Sequence, residues 1–185
     1  MSSRRASAAP SKQQASVGNQ GAVTLRAAGE ADVPAITEIF NQGVEDGMAT
    51  LDPPHTVGQR VAWFREHGAN EPVIVAESGG RVVGWASLSR WSTRMCYDTV
   101  KELSIYVRRE WRGKGVGEAL LSRLLQQGRG LGLHKVVLFC FPENAAGVKL
   151  YRRLGFVDVG VFRSHGVRNG VWHDILAMER QLADN

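Results

Sequence analysis

A glycine-rich turn between a β-rich segment and an amphipathic helix constrains the fold of this chain more than any other feature. Residues 103–107 have the pattern of a buried strand, and the helical pattern after the turn runs to about Gly130. Such a turn concentrates unpaired backbone N–H groups and the positive end of the helix dipole, so it is a natural phosphate cradle. A tight turn that binds nothing is the alternative interpretation. The turn consists of Arg112, Gly113, Lys114, Gly115, Val116 and Gly117.

The same turn lacks the ending of a P-loop. In that motif a Gly-Lys pair is followed by Ser or Thr, whereas here Lys114 is followed by Gly115. No Rossmann pattern accompanies the turn. These differences argue against a nucleotide-binding module.

Short β-rich runs alternate with helical periods from Val23 onward, which predicts an α/β or α+β domain. Gly79-Gly80 separates two of these runs, as expected of an antiparallel hairpin. The first predicted helix begins after Asp32, which we expect to cap it. Further helices are predicted near 56–67, 116–130 and 143–154, and strands near 23–26, 72–78, 81–90, 98–107, 136–141, 156–164 and 171–180.

Helical spacing predicts which side chains of the first two helices face the core. The expected inward set is Val33, Ile36, Phe40 and Val44 in the first helix and Val57, Val61 and Phe64 in the second.

Composition limits the number of domains and the class of partner. A chain of 185 residues has room for one domain with a proper core. The formal net charge is +5, but Arg4, Arg5 and Lys12 in an acid-free N-terminal tail supply three of these charges. The body is nearly balanced, which argues against a nucleic-acid partner. No run approaches the ~20 apolar residues that cross a bilayer, so we expect no membrane span.

The first 22 residues are rich in Ser, Ala, Gln and Gly and nearly lack large apolar side chains. We therefore predict a disordered tail at 1–22, followed by one domain over 23–182. A secretory signal needs an apolar stretch that the tail lacks, whereas a transit peptide stays an alternative. Cys96 and Cys140 fall in predicted core strands, and two thiols are too few for a disulfide framework. A cytoplasmic location is the resulting expectation.

The turn and its surroundings resemble the GNAT superfamily of acetyltransferases. The turn matches the Arg/Gln-x-x-Gly-x-Gly/Ala motif, the strand at 103–107 precedes it, and Asn144, Leu150-Tyr151 and Leu154-Gly155-Phe156 follow in the family's order. The resemblance implies a mixed sheet of about seven strands flanked by about four helices and splayed between strands four and five.

The same resemblance implies a cosubstrate, acetyl-CoA. Its pyrophosphate would lie on the glycine-rich turn. Its pantetheine arm would run along Ile105, Tyr106 and Val107, with a further hydrogen bond from Asn144, although an Asn at a helix start is also a routine cap.

Residues 23–182 are similar, more narrowly, to the phosphinothricin acetyltransferase branch. The supporting segments are 39–41 with Ala49-Thr50, 91–98, Glu102 with 105–107, and 166–174. Members acetylate the free amine of small amino-acid-like compounds such as phosphinothricin, methionine sulfoximine or arsenical analogues. Leu51, His165 and Asn169 depart from the branch pattern and leave the choice of substrate open. The resemblance also implies a homodimer, with contacts from residues 48–54 and the C-terminal strands.

Two side chains are candidates for acid–base chemistry, because an amine attacks a thioester only when it is unprotonated. Glu102 is the predicted general base, at the position where the branch has its catalytic glutamate, and its apolar neighbours would raise its pKa. A solvated carboxylate paired with Lys101 is the alternative. Tyr151 is the predicted general acid for the departing thiolate, or else a core tyrosine.

Substrate binding is predicted at Arg94, because a guanidinium fork holds a carboxylate or phosphinate through two charge-assisted hydrogen bonds. Tyr97 could add a hydroxyl, and a solvated loop is the alternative for Arg94. The sequence shows no zinc-like ligand spacing, so we expect no metal. His173 and Asp174 are interpreted as structural and His165 as a wall of the pocket.

Two other functions remain open at this point. One is acetylation of a protein N-terminus or lysine, which needs an open groove. The other is a non-catalytic acyl-CoA sensor, which would need neither Glu102 nor Arg94.

Overall fold

A mixed sheet lies at the centre of the computed structural model, which describes residues 22–183. The strands are β1 (Thr24–Ala27), β2 (Val73–Ser78), β3 (Arg81–Arg90), β4 (Val100–Val107), β5 (Lys135–Cys140), β6 (Val157–Arg168) and β7 (Val171–Gln181). Their spatial order is β1-β2-β3-β4-β5-β7-β6. All pairs are antiparallel except β4 with β5.

Helices cover both faces of this sheet. They are α1 (Val33–Asp46), α2 (Val57–Arg65), α3 (Val116–Gly130) and α4 (Ala145–Arg153), with single 3-10 turns at Glu30–Asp32, Met95–Tyr97 and Arg109–Trp111. These elements confirm the predicted class, a mixed seven-stranded sheet with four helices. The β2–β3 hairpin turns at Gly79 and Gly80, whose φ angles of +57° and +76° favour glycine.

The β4–β5 pairing is short. Residues Val100 to Glu102 pair in parallel with Lys135 to Val137, and the pairing stops there. Beyond Glu102 the two strands separate, as the resemblance implied. The gap exposes the edge of β4 that carries Ile105 and Val107.

The sheet separates two apolar cores. The larger packs α3 and α4 against one face around Leu120, Leu121, Leu124 and Leu138. The smaller packs α1 against the opposite face around Ile36, Phe40 and Trp85. Val33, Ile36 and Phe40 are buried as predicted, and Val44 packs against the smaller core.

The face of α2 was predicted only in part, because Phe64 packs against the smaller core but Val57 does not. Val57 is 44% exposed, whereas Arg60 is only 4% exposed. The Arg60 guanidinium lies 4.0 Å from the ring centroid of Phe40 and 4.7 Å from that of Trp63. Aromatic rings attract a cation through their electron-rich faces, so hydrophobic spacing alone missed the inward residue.

Two smaller predictions were also wrong. Asp32 occupies the N-cap position of α1, but its carboxylate makes no capping bond. It accepts instead from Arg26 at 2.7 and 2.8 Å and from the Gly29 amide at 2.8 Å. Cys96 is exposed in a 3-10 turn rather than buried in a strand, while Cys140 is buried in β5.

The predicted disordered tail at 1–22 lies outside the described residues, apart from Ala22. No helix within residues 22–183 is long and apolar enough to span a membrane.

Truncation of Leu121 to alanine should destabilise the domain by about 2–5 kcal/mol, because the side chain is fully buried and would leave a cavity. Leu131→Ala is the matched control, since Leu131 is 39% exposed, and it should change stability by about 0.5 kcal/mol or less. Urea unfolding of both variants measures the difference. Equal stabilities would contradict the assignment of the larger core.

Candidate active site

Two clefts meet where β4 and β5 separate. The first, which we call the glycine cleft, has a volume of about 600 Å3 and is lined by the glycine-rich turn. The second, which we call the carboxylate cleft, also measures about 600 Å3 and is lined by Asp52 and Glu102. Their shared wall consists of Ala49, Ile105, Tyr106, Asn144 and Tyr151. A ligand in one cleft can therefore reach a ligand in the other.

The glycines of the turn serve different needs. Gly113 and Gly115 have φ angles of +72° and +82°, which glycine adopts at little cost. A Cβ added at either would meet no atom within 4 Å, so the space before them is open. A Cβ at Gly117 would lie 3.3 Å from Leu150. Gly117 thus allows close packing of α3 on α4, while Gly113 and Gly115 shape the cradle.

The other residues of the turn take separate positions. Arg112 lines the glycine cleft, where its Nε donates to the Val107 carbonyl at 3.0 Å. The Lys114 ammonium lies 5.5 Å from the ring centroid of Trp111. Val116 is 2% exposed and belongs to the larger core. Of these three side chains, only Arg112 faces the cleft.

Strand β4 carries the residues predicted to lie along the coenzyme. Ile105 and Val107 line the glycine cleft and pack on the larger core. The Tyr106 ring stacks on the ring of its pairing partner Trp85 on the neighbouring strand β3, with centroids 4.9 Å apart. Burial raises the pKa of Tyr106 to about 12. Tyr106 therefore stays neutral at physiological pH.

Glu102 is the last residue of β4 that pairs with β5, and it faces the carboxylate cleft. Its pKa is raised, first by burial and second by the negative charge of Asp52. Lys101, its neighbour, is buried and donates to Glu71 Oε1 at 2.9 Å. The alternative pairing of Glu102 with Lys101 is therefore not what the structure shows.

Tyr151 and Asn144 lie on the shared wall, on or beside α4. Tyr151 is 9% exposed, and burial raises its pKa, so its hydroxyl keeps its proton. Asn144 Oδ1 accepts from the Gly147 amide at 3.0 Å and caps α4. Asn144 thus performs the cap role that the sequence left as an alternative, and it also faces both clefts.

Arg94 and Tyr97 lie apart from these residues. Both are in the exposed loop between β3 and β4, and neither is among the residues that line the two clefts. The Arg94 guanidinium lies 5.6 Å from the centroid of the Tyr97 ring. The structure thus brings Glu102 and Tyr151 to one place and leaves Arg94 and Tyr97 at the periphery.

Of the three C-terminal candidates His165, His173 and Asp174, only His165 lines a cleft. His165 lines the carboxylate cleft. His173 packs edge-on against Phe141, and Asp174 pairs with Arg163 at 2.6 Å. Within residues 22–183, no three His, Cys, Asp or Glu side chains gather as a candidate metal site.

Sequence reasoning missed four residues that line the carboxylate cleft. Phe139 and Phe162 fell in predicted strands and gave no sign of which face they occupy. Trp91 belongs to the segment 91–98 that resembles the branch, but that resemblance gave it no role of its own. Asp52, between Leu51 and Pro53, had the pattern of an ordinary loop residue. The set is Asp52, Trp91, Phe139 and Phe162.

Comparisons with known proteins agree with this geometry. A model of the acetyltransferase (GNAT) family matches residues 36–156. An L-methionine sulfoximine/L-methionine sulfone acetyltransferase of Salmonella typhimurium is 36% identical over 88% of this chain and 96% of its own. A phosphinothricin N-acetyltransferase of Alcaligenes faecalis is 32% identical over 87% and 83%, respectively. The crystal structure of a phosphinothricin acetyltransferase from Sinorhizobium meliloti in complex with AcCoA is 34% identical, with a TM-score of 0.81, over 86% of this chain and 88% of its own.

Proposed function

The chain belongs to the acetyltransferase (GNAT) family, and from that premise we propose that it moves the acetyl group of acetyl-CoA to the free amine of a small amino-acid-like compound. Phosphinothricin, methionine sulfoximine and arsenical analogues are the candidate amines. The observation that carries the proposal is the shared wall of the two clefts. We assign the glycine cleft to the coenzyme and the carboxylate cleft to the amine. Tyr151 lies on the shared wall, and Glu102 lines the carboxylate cleft.

The glycine cleft suits the coenzyme by its chemistry. The first turn of α3 presents backbone N–H groups and a positive dipole end to a pyrophosphate, and the space before Gly113 and Gly115 is open. The edge of β4 beyond Glu102 is not paired with β5, so its polar groups can bond the amide groups of the pantetheine arm. Arg112 and Asn144 add polar groups along the same cleft.

The two titratable residues then act in sequence. Glu102 takes a proton from the substrate ammonium, directly or through water, because the neutral amine is the nucleophile. The amine nitrogen forms a bond to the acetyl carbonyl carbon, and the carbon–sulfur bond breaks. Tyr151 gives its proton to the departing sulfur. The acylated nitrogen then releases its second proton to water as the amide forms, and the Tyr151 phenolate regains a proton from water. Burial raises the pKa of both side chains, which keeps the Tyr151 hydroxyl protonated before the transfer and sets the pH at which Glu102 becomes a base.

We also propose a homodimeric, cytoplasmic protein whose catalytic domain spans residues 23–182. Exposed apolar side chains on β6 and β7 support the dimer. Val157, Val159 and Trp172 are 60%, 62% and 63% exposed, and exposed apolar patches commonly mark protein contacts. We still predict that Arg94 and Tyr97 contact the acid group of the substrate at the rim of the site.

Substitution of Gly115 by glutamate should abolish acetyl-CoA binding, since a side chain and a negative charge would enter the phosphate cradle. Gly132→Glu is the matched control, because Gly132 has a φ of +71° and open space around it but does not line the glycine cleft. Both variants carry the same backbone strain, and calorimetric titration with acetyl-CoA separates strain from binding. Equal affinity in the two variants would refute the cradle.

Replacement of Glu102 by glutamine should lower kcat by roughly 10²–10⁴-fold with little change in coenzyme affinity, as for a lost general base. Thiol release with methionine sulfoximine measures the loss, and Glu66→Gln on the exposed end of α2 is the control. In the parent enzyme kcat/KM should rise with pH as Glu102 loses its proton, above the usual pH for a glutamate because its pKa is raised. Near-normal turnover of the Gln variant would mean another base.

Light scattering should give twice the 20.3 kDa mass of one chain. The double variant Val159→Asp, Trp172→Asp places charges in the proposed contact and should give a monomer. Leu131→Asp, at an exposed position directly after α3, is the control and should remain dimeric. A monomeric parent protein at micromolar concentration would rule the dimer out.

A further inference from the structure

The charged side chains that line the glycine cleft occur in two ion pairs. Arg112 of the glycine-rich turn donates to Asp46, the last residue of α1, at 2.5 Å. Arg153, the last residue of α4, donates to Glu118 in the first turn of α3 at 2.6 Å. Among the described residues that line the cleft, these four carry all of the formal charge. Each base is therefore already neutralised by an acid.

This pairing has a consequence for a ligand such as acetyl-CoA, whose pyrophosphate and 3′-phosphate are negatively charged. Burial acts to raise the pKa of Asp46, but hydrogen bonds from Arg109 and Arg112 outweigh it and hold that pKa below its usual value. The carboxylate is therefore charged and repels a phosphate. A guanidinium binds phosphate and carboxylate oxygens with the same geometry. A phosphate that enters the cleft can thus replace the carboxylate on the arginine.

Asp46 is the fixed member of its pair. Its carboxylate also accepts from Arg109 Nε at 2.9 Å. The chain that follows α1 is attached to β6, because the Thr50 carbonyl accepts from Arg168 at 3.1 Å. Arg112 has the longer side chain, 41% of which is exposed. Arg112 can therefore turn toward a phosphate while the carboxylate of Asp46 stays in place.

We propose that Asp46 and Glu118 set the affinity for the coenzyme by competing with its phosphates for Arg112 and Arg153. The inference rests on the proposed function and deepens it, because it concerns how the product CoA leaves the glycine cleft. When the coenzyme enters, each arginine exchanges a carboxylate for a phosphate oxygen. When CoA departs, the carboxylate binds the arginine again, so the cation is not left without a partner. The competition makes binding weaker and release faster.

The test is calorimetric titration of free CoA into the parent protein and matched variants. Asp46→Asn should lower Kd about five- to tenfold, because the arginine is freed for a phosphate and one repulsive charge is lost. Glu118→Gln should lower Kd in the same way through Arg153. Glu45→Gln is the control, since it removes an exposed acid next to Asp46 that does not line the cleft. Its Kd should change by less than about twofold.

Removal of the arginine tests the exchange itself. In an Arg112→Gln background most of the gain from Asp46→Asn should disappear, because no arginine is then freed. Glutamine also occurs at this position in the motif that the turn resembles, so this background should fold. Should Asp46→Asn not fold, Glu118→Gln in an Arg153→Gln background makes the same comparison at a pair whose side chains are about half exposed.

The outcomes separate this inference from the proposed function. A Kd for CoA that is unchanged or higher in either acid variant would show that the acids support the arginines and do not compete for them. A gain from Asp46→Asn that persists in full without Arg112 would show that charge alone is responsible. Either result overturns the inference and leaves the proposed function intact. Failure of the parent protein to bind CoA overturns the assignment of the glycine cleft to the coenzyme, and the proposed function with it.

Discussion

The early end of the β4–β5 pairing is the constraint on which the rest of the site depends. Three residue pairs hold the strands together, from Val100–Lys135 to Glu102–Val137, and then the sheet opens. A continuous pairing would fill the gap with backbone hydrogen bonds and leave no passage between the two faces. Because the sheet opens after Glu102, the proposed base lines the carboxylate cleft where β4 and β5 begin to separate.

Much of the fold could be predicted because its signals are local. The Gly79-Gly80 turn, the glycine-rich turn before α3 and the apolar spacing of α1 each depend on residues close together in the chain. The burial of Arg60 in α2 could not be predicted, since it depends on rings from α1 and from its own helix. No hydrophobic pattern marks such a residue, and its stabilisation comes from tertiary contacts that sequence spacing does not contain.

The residues of the candidate site also differ in whether local sequence or tertiary contacts determine their positions. Glu102, Tyr151 and the turn belong to contiguous motifs, so their positions on β4, α4 and α3 could be anticipated. The wall of the carboxylate cleft is assembled from β5, β6 and two loops, and a single sequence does not show which strands become neighbours. Arg94 stays a prediction, because it lies in an exposed loop and is not among the residues that line the two clefts.

The attachment of residues 50–52 to β6 joins two parts of the chain that are distant in sequence. Arg168 and Thr50 are separated by 118 positions, and the end of the Leu51 side chain lies where a Cβ at position 166 would fall. The two segments therefore form one exchangeable module. A chimera that takes residues 50–52 from a relative but keeps its own β6–β7 hairpin would lose the contacts between the two segments. An exchange of substrate preference between such enzymes must therefore transfer both segments together.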